Sequence, residues 1–245
     1  MIVGIFSDVH GNFEALKATV ADGEKNCVDR WVCLGDLFVK GPQPQKTADY
    51  IESMIERESI TLVKGNTDES IVHGLPDKFT QEERAELSPY VEFARSNLSK
   101  SCISWLKELK GSFNIETLSQ NFIFCHAGLG GLDIATAPDM KDDVLITTLS
   151  GNTELHTASL FYGHIHIPYM RKISDVSIFN VGSVGLPFDL DYRASYMIVE
   201  IDDLDGFIKK ASFMRVAYDI ERLISISKAV ELPGIAQYLD IMKLR

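Results

Sequence analysis

Short apolar runs, each closed by a small polar cluster, punctuate the first two-thirds of the chain. Residues 1–6 form an apolar, strand-like run that ends in a polar turn at 7–12. Between Asn12 and Glu24, Phe13, Leu16 and Val20 recur at helical spacing. A second apolar run at 31–34 is closed by Gly35-Asp36. The two prolines at 41–44 then mark a loop before a helix carrying Ala48, Ile51, Met54 and Ile55. A third run at 60–63 ends at Gly65-Asn66. Strands alternating with helices predict a largely parallel sheet, and open α/β sheets bind ligands at the carboxyl ends of their strands.

The pattern changes at 76–110, which is charged, helical in spacing and interrupted by Ser88-Pro89. It is expected to be an insertion of two helices, 80–87 and 89–109, laid over or beside the site. Residues 113–115 and 121–125 predict a hairpin leading to His126. A Gly-rich loop at 129–138 and a helix at 139–150 follow, then a strand at 160–162 ended by Gly163-His164. Runs at 169–173, 176–181, 195–201 and 207–216 are expected as consecutive strands of a second, more antiparallel sheet. Amphipathic helices at 219–228 and 233–244 close the chain and offer a surface for a homodimer. With no repeat, low-complexity stretch or linker, the expectation is a single domain over 1–245.

Five loops would therefore bring Asp8, His10, Asp36, Asn66, His126, His164 and His166 to one sheet edge. Asp8 and His10 are two apart, so on an extended strand end they share a face and can grip one cation. Asp36 has two oxygens and can bridge two cations, although taken singly it also reads as a cap or turn former. Asn66 is either a turn residue or an amide-oxygen ligand. Of the six histidines, His126, His164 and His166 fall just after apolar runs beside glycine. Each singly reads as a satisfied histidine; together with the acidic residues they read as ligands. His73 and His156 have no partner motif. This inventory of carboxylate, amide and imidazole with no thiolate suits a pair of divalent first-row metals.

Composition narrows the field. A net charge of −11 argues against nucleic-acid duplex binding, which needs clustered Lys and Arg. It leaves room for a small anionic substrate, because two bound dications reverse the local sign. The four cysteines show no Cys-x-x-Cys spacing and read as reduced, which fits a cytoplasmic protein. No basic n-region precedes the first apolar run, so no signal peptide is expected. No apolar stretch approaches the roughly 20 residues of a membrane span.

The ordered blocks Ser7-Asp8-Val9-His10-Gly11-Asn12, Leu34-Gly35-Asp36, Lys64-Gly65-Asn66-Thr67-Asp68, Cys125-His126-Ala127-Gly128 and Tyr162-Gly163-His164-Ile165-His166 resemble the calcineurin-like metallophosphoesterase superfamily. Asn180-Val181-Gly182-Ser183-Val184-Gly185 is similar to the Asn-x-Gly-Ser turn of its small bacterial and archaeal members. The resemblance implies a four-layer α/β/β/α sandwich of two mixed sheets with a dinuclear site at the strand ends. By motif position, Asp8, His10 and His166 would bind one metal, Asn66, His126 and His164 the other, and Asp36 would bridge them. Mn²⁺ is the first expectation, and Fe, Zn²⁺, Ni²⁺, Co²⁺ or Mg²⁺ tolerate the same donors. A bridging hydroxide would be the nucleophile.

One position departs from the pattern. Protein-phosphatase-like members read Gly-Asn-His in the third block, and that His is thought to protonate the leaving oxygen; here Thr67 stands in its place. Loss of general acid help is worth about 10²–10⁴-fold for alkoxide departure and least for good leaving groups. The expectation is thus a phosphodiesterase or nucleotide phosphoanhydride hydrolase, with Asp68 as the substitute acid or a cap. The alternatives are a phosphomonoesterase or protein phosphatase of the same superfamily, and a non-catalytic scaffold of the same fold. Asn12, Lys40 and Arg193 are candidate substrate contacts, with Asp189 beside Arg193. Phe79, Tyr90, Phe93 and Trp105 on the insertion are either base-stacking residues or core.

Overall fold

The computed structural model describes residues 1–243. Two five-stranded sheets lie face to face. The first runs β10 (Ile208–Val216), β9 (Ala194–Ile201), β1 (Ile2–Phe6), β2 (Arg30–Cys33), β3 (Ile60–Leu62). The second runs β4 (Ser112–Glu116), β5 (Asn121–Cys125), β6 (Ala158–Tyr162), β8 (Val176–Asn180), β7 (Tyr169–Ile173). In the first sheet β1, β2 and β3 run parallel and β9 and β10 add antiparallel pairs on the other side; in the second the middle pairs are parallel and both edge pairs antiparallel, so both sheets are mixed.

Why these runs are almost wholly apolar follows from the layering: a central strand buried on both faces has no polar side. Val3 and Ile5 of β1 face the inter-sheet core with Val32, Leu34, Phe124, Phe161 and Met197. Phe6 joins the opposite core, packed with Leu16 and Val20 of α1 (Phe13–Lys25) and Ile51 and Met54 of α2 (Pro44–Glu56). On the far side, Leu145 and Leu149 of α6 (Asp142–Ser150) cover Ile123, Leu160 and Ile178. The order of layers is α/β/β/α. Cross-strand aromatic stacking knits the second sheet: Phe113, Phe124, Phe161 and Phe179 stack in turn at centroid spacings of 4.7, 5.3 and 4.8 Å.

Three expectations are corrected. The strands β9 and β10 do not extend the second sheet. They return to the first, where β9 pairs antiparallel with β1 at Gly4↔Ile198. One edge of β1 is taken by β2, and its other edge carries main-chain groups that burial requires to be paired; β9 supplies the partners. Second, Pro89 does not divide two helices. The helix α4 (Gln81–Ser96) runs through it, begun by a Thr80/Glu83 capping box. Both Pro89 and Ala85, whose carbonyl loses its partner, are exposed, so water can satisfy the break. The real division is at 97–99, where the Ser99 side chain caps α5 (Lys100–Glu108). Third, α3 (Asn66–His73) begins on a candidate ligand where only a turn was expected.

The insertion is anchored rather than loose. Trp105 packs on Phe38 of the loop after β2, its indole N–H donating to Glu52 at 2.8 Å, so its role is core. The closing helices α7 (Ile220–Ala229) and α8 (Ile235–Lys243) pack through Leu223, Tyr238 and Met242 against Leu186 and Phe93. The expected last position, Leu244, lies outside the described residues. No helix among the described residues is long and apolar enough to cross a membrane.

Candidate metal centre

Beyond the strand ends, the loops after β1 and β2 continue side by side. Asp8, His10 and Gly11 N–H groups donate to the carbonyls of Gly35, Asp36 and Leu37 at 2.9, 2.9 and 2.8 Å. This extension brings Asp8, His10 and Asp36 into one cluster. It requires left-handed backbone, with φ of 55°, 49° and 56° at these residues, and His164 and His166 share it at 66° and 59°. Each such non-glycine residue costs on the order of 1–3 kcal/mol, and strain of this kind concentrates at functional sites. Each of these five residues aims a donor atom at the cluster.

The histidines are pinned from behind. His10 Nδ1 donates to the Val39 carbonyl at 2.7 Å, His126 Nδ1 to Leu34 at 2.8 Å, and His166 Nδ1 to Leu186. A carbonyl accepts, so each Nδ1 carries the proton and each Nε2 presents a lone pair inward. His10 Nε2 and His166 Nε2 then face each other at 3.2 Å, with Asp8 Oδ1 3.0 Å from His166 Nε2. That carboxylate oxygen is buried and accepts no hydrogen bond. Lone pairs set against lone pairs at this range repel unless a proton or a metal cation lies among them.

A second set adjoins the first. His126 Nε2 lies 2.9 Å from Asn66 Oδ1, 3.3 Å from His164 Nδ1 and 3.5 Å from Asp36 Oδ1. The other Asp36 oxygen is 3.8 Å from His10 Nε2, so this carboxylate offers one oxygen to each set. Asp8, His10 and His166 form one group with ligand spacing, and Asp8, Asp36 and His126 another. The donor chemistry fits divalent cations held by nitrogen and oxygen.

Electrostatics agree with the geometry. Burial raises the Asp8 and Asp36 carboxyls, but the imidazoles outweigh it and hold both below the ordinary carboxylate value, His166 acting most on Asp8 and His126 on Asp36. Burial lowers His10 and His164. His126 goes up, because Asp36 and Asp8 overcome its burial. Protons and cations compete for these same atoms.

Over residues 1–204 the sequence matches the calcineurin-like phosphoesterase superfamily domain. The chain belongs to this superfamily. An uncharacterized protein of Methanocaldococcus jannaschii is 25% identical over 250 residues, spanning 90% of this chain and 89% of that one. A hypothetical protein from Pyrococcus horikoshii has the same fold, with a TM-score of 0.82 at 17% identity over 98% of this chain and 97% of its own. A metallophosphoesterase from Sphaerobacter thermophilus superposes with a TM-score of 0.72 at 22% identity over 98% and 99%.

The remaining candidate residues of this calcineurin-like phosphoesterase fall in different places. Asn12 is fully buried: its Oδ1 caps α1 at Ala15, and its amide donates to the Gly185 carbonyl and the Tyr218 hydroxyl, both at 3.2 Å. That arrangement supports the ligand loop and leaves no free polar atom for a substrate. Arg193 is turned to Asp191 at 2.6 Å on a half-exposed loop, and Asp189 pairs with Arg215. Lys40 stands at a cavity beside the centre. Asp68 lies behind Asp36: one oxygen accepts from the Asp36 and Gly65 N–H groups at 2.8 and 3.0 Å, the other from Leu37 at 2.9 Å. Burial, then the Asp36 charge, push its carboxyl up to about 6. A raised acid suits proton donation, but both oxygens of this one face backbone amides.

Two groups support the centre: Asp133, which no motif marked, and the Ser183–Gly185 turn, whose motif was legible but whose contacts were not. Asp133, in the Gly-rich loop, lies 3.7 Å from His164 Nε2 and pairs with Lys78 of the insertion at 2.6 Å. Ser183 donates to the Asp8 carbonyl at 2.8 Å, while Val184 and Gly185 N–H groups bond Ser7 and Asp8. The 183–185 turn thereby latches the Asp8 loop. A Cβ at Gly185 would overlap the Val9 carbonyl oxygen. Gly185→Ala is expected to cost about 2–3 kcal/mol, read by urea unfolding, because backbone must shift to admit it. The same variant should bind metal more weakly, since the shift reaches Asp8.

Proposed function

We propose that this protein is a phosphoesterase working with two divalent cations, Mn²⁺ foremost, that hydrolyses phosphodiester or nucleotide phosphoanhydride bonds. The observation that carries the reading is the inward convergence of Nε2 lone pairs from His10, His126 and His166 on Asp8 and Asp36, each ring fixed from behind by a carbonyl. Asp8, His10 and His166 would hold one cation and Asn66, His126 and His164 the other, with Asp36 shared. When bound, such a pair lowers the pKa of a water nucleophile and neutralises charge building on phosphoryl oxygens. The chain's own part is positional: five loops hold neighbouring donors 2.9–3.8 Å apart, and buried carbonyls set the tautomers of three histidines before any ligand arrives.

The preference for diesters rests on Thr67. Its N–H donates to Asp36 Oδ1 at 2.9 Å, and its hydroxyl is buried without a protein partner. A hydroxyl does not give up a proton near neutral pH, so substrates whose leaving oxygen departs unaided are favoured. The test is hydrolysis of bis(p-nitrophenyl) phosphate beside p-nitrophenyl phosphate, with Mn²⁺ present and then removed by chelator. The expected result is a chelator-sensitive rate that is higher on the diester. A faster monoesterase would overturn the preference for diesters. Silence on both with metal bound would move the assignment to phosphoanhydrides, and silence with no metal bound would favour a scaffold.

A further inference from the structure

A small cavity opens beside the His10–His166 half of the centre, lined by Lys40, Tyr90, Leu186, Phe188, Gln237 and Tyr238 among others. Its volume is about 100 Å³, room for one planar ring. Three of its walls are one step from metal-ligand candidates. Lys40 follows Val39, whose carbonyl holds His10. The Leu186 carbonyl holds His166, and the Phe188 ring lies over the His166 imidazole at 4.4 Å and 19°.

The opposite wall comes from elements remote in sequence. Tyr90 on α4 meets α8, where its hydroxyl donates to Gln237 Oε1 at 3.3 Å. Gly234, with a left-handed φ of 62°, lets the two elements approach closely here: a Cβ would displace the Tyr90 hydroxyl. The insertion and the last helix thus meet to close a slot whose other face is Phe188. Phe188 is 40% exposed, so part of its ring is open to a partner. Tyr238 is 3% exposed, and its hydroxyl has no hydrogen-bond partner. Lys40 holds a left-handed φ of 83°, which places a cation at the rim.

We infer that this slot seats a planar ring on the ester arm that stays with the phosphorus, so that the protein selects diesters with an aryl or single-ring nucleoside arm over those with a small alkyl arm. Phe188 and Tyr90 supply stacking faces, Gln237 and Tyr238 polar atoms for the ring edge, and Lys40 charge for a phosphoryl oxygen. A purine would project beyond a cavity of this size. The inference rests on the phosphodiesterase reading above.

The test compares bis(p-nitrophenyl) phosphate with methyl p-nitrophenyl phosphate, which release the same p-nitrophenolate and differ only in the retained arm. The wild type is expected to show a KM lower by about tenfold for the bis-aryl ester, the scale of one ring stacked on an aromatic side chain. Phe188→Leu and Tyr90→Leu should each bring that ratio towards one, while Tyr90→Phe should keep most of it. Equal KM values in the wild type, or a ratio that both leucine variants leave unchanged, would overturn the slot and leave the phosphodiesterase reading standing. Should metal-loaded protein cleave neither ester, that reading fails and binding decides the slot. Calorimetry should then show phenylphosphonate bound at least about fivefold tighter than methylphosphonate, with the margin lost in Phe188→Leu. Equal binding would overturn the slot by itself.

Discussion

Replacing Asp36 by Asn is expected to reduce hydrolysis of bis(p-nitrophenyl) phosphate by more than about a hundredfold, since even groups that merely support a ligand cost about 10–100-fold. The substitution is nearly isosteric and keeps an oxygen to accept the Thr67 N–H, so the local fold survives. What it removes is the second carboxylate oxygen and the charge. The two Asp36 oxygens lie 3.8 Å from His10 Nε2 and 3.5 Å from His126 Nε2, one towards each histidine. An amide presents one oxygen and one NH₂, so it serves one side and sets donor hydrogens against a cation on the other. Metal analysis after dialysis should show fewer cations per chain, and thermal unfolding in chelator should be close to wild type. Undiminished rate and metal content together would remove Asp36 from the centre.

How far the fold and the candidate site could be read in advance depended on whether each signal was local. The runs around Ile5, Val32 and Phe161 announce themselves because a strand buried on both faces has nowhere to put a polar residue. His126, His164 and His166 stand out because glycine and a strand end accompany each. The pairing of β9 with β1 is different in kind: it is fixed by which edge lacks a partner, and no periodicity in residues 194–201 encodes that. The helix α3 was hidden because its N-cap and first residue, Gly65-Asn66, carry a turn signal that equally begins a helix. At Pro89 the sequence overstated a break, since an exposed Ala85 carbonyl can be hydrated. Asn12 and Arg193 illustrate the limit for site residues. Both are polar and near a motif, but only the packing reveals that one caps α1 and the other is paired with Asp191. Phe188 and Tyr90 lie almost a hundred residues apart, and only the crossing of α4 and α8 opposes them.

Asp68→Ala is expected to be the most destabilising single change at the site. The fully buried carboxylate accepts three backbone N–H groups, from Asp36, Leu37 and Gly65, and so ties the loop after β2 to the start of α3. Alanine leaves all three donors without a partner. At about 1–3 kcal/mol for each buried unpaired group, the three together amount to about 3–9 kcal/mol. Relief of the repulsion between Asp68 and Asp36 offsets part of this, which is why the lower end of that range is the firmer expectation. A domain stable by about 5–15 kcal/mol is left marginal by such a loss. Asp68→Asn keeps one accepting oxygen and should fall between alanine and wild type in urea unfolding. Metal affinity should drop in both, because the freed amide of Asp36 no longer fixes where its carboxylate lies. The competing role, proton donation to the leaving group, predicts the opposite pattern: stability and metal content intact in Asp68→Asn, with rates falling only for esters of poor leaving groups. The three amides converging on this carboxylate decide for the first pattern, and the two sets of measurements separate cleanly.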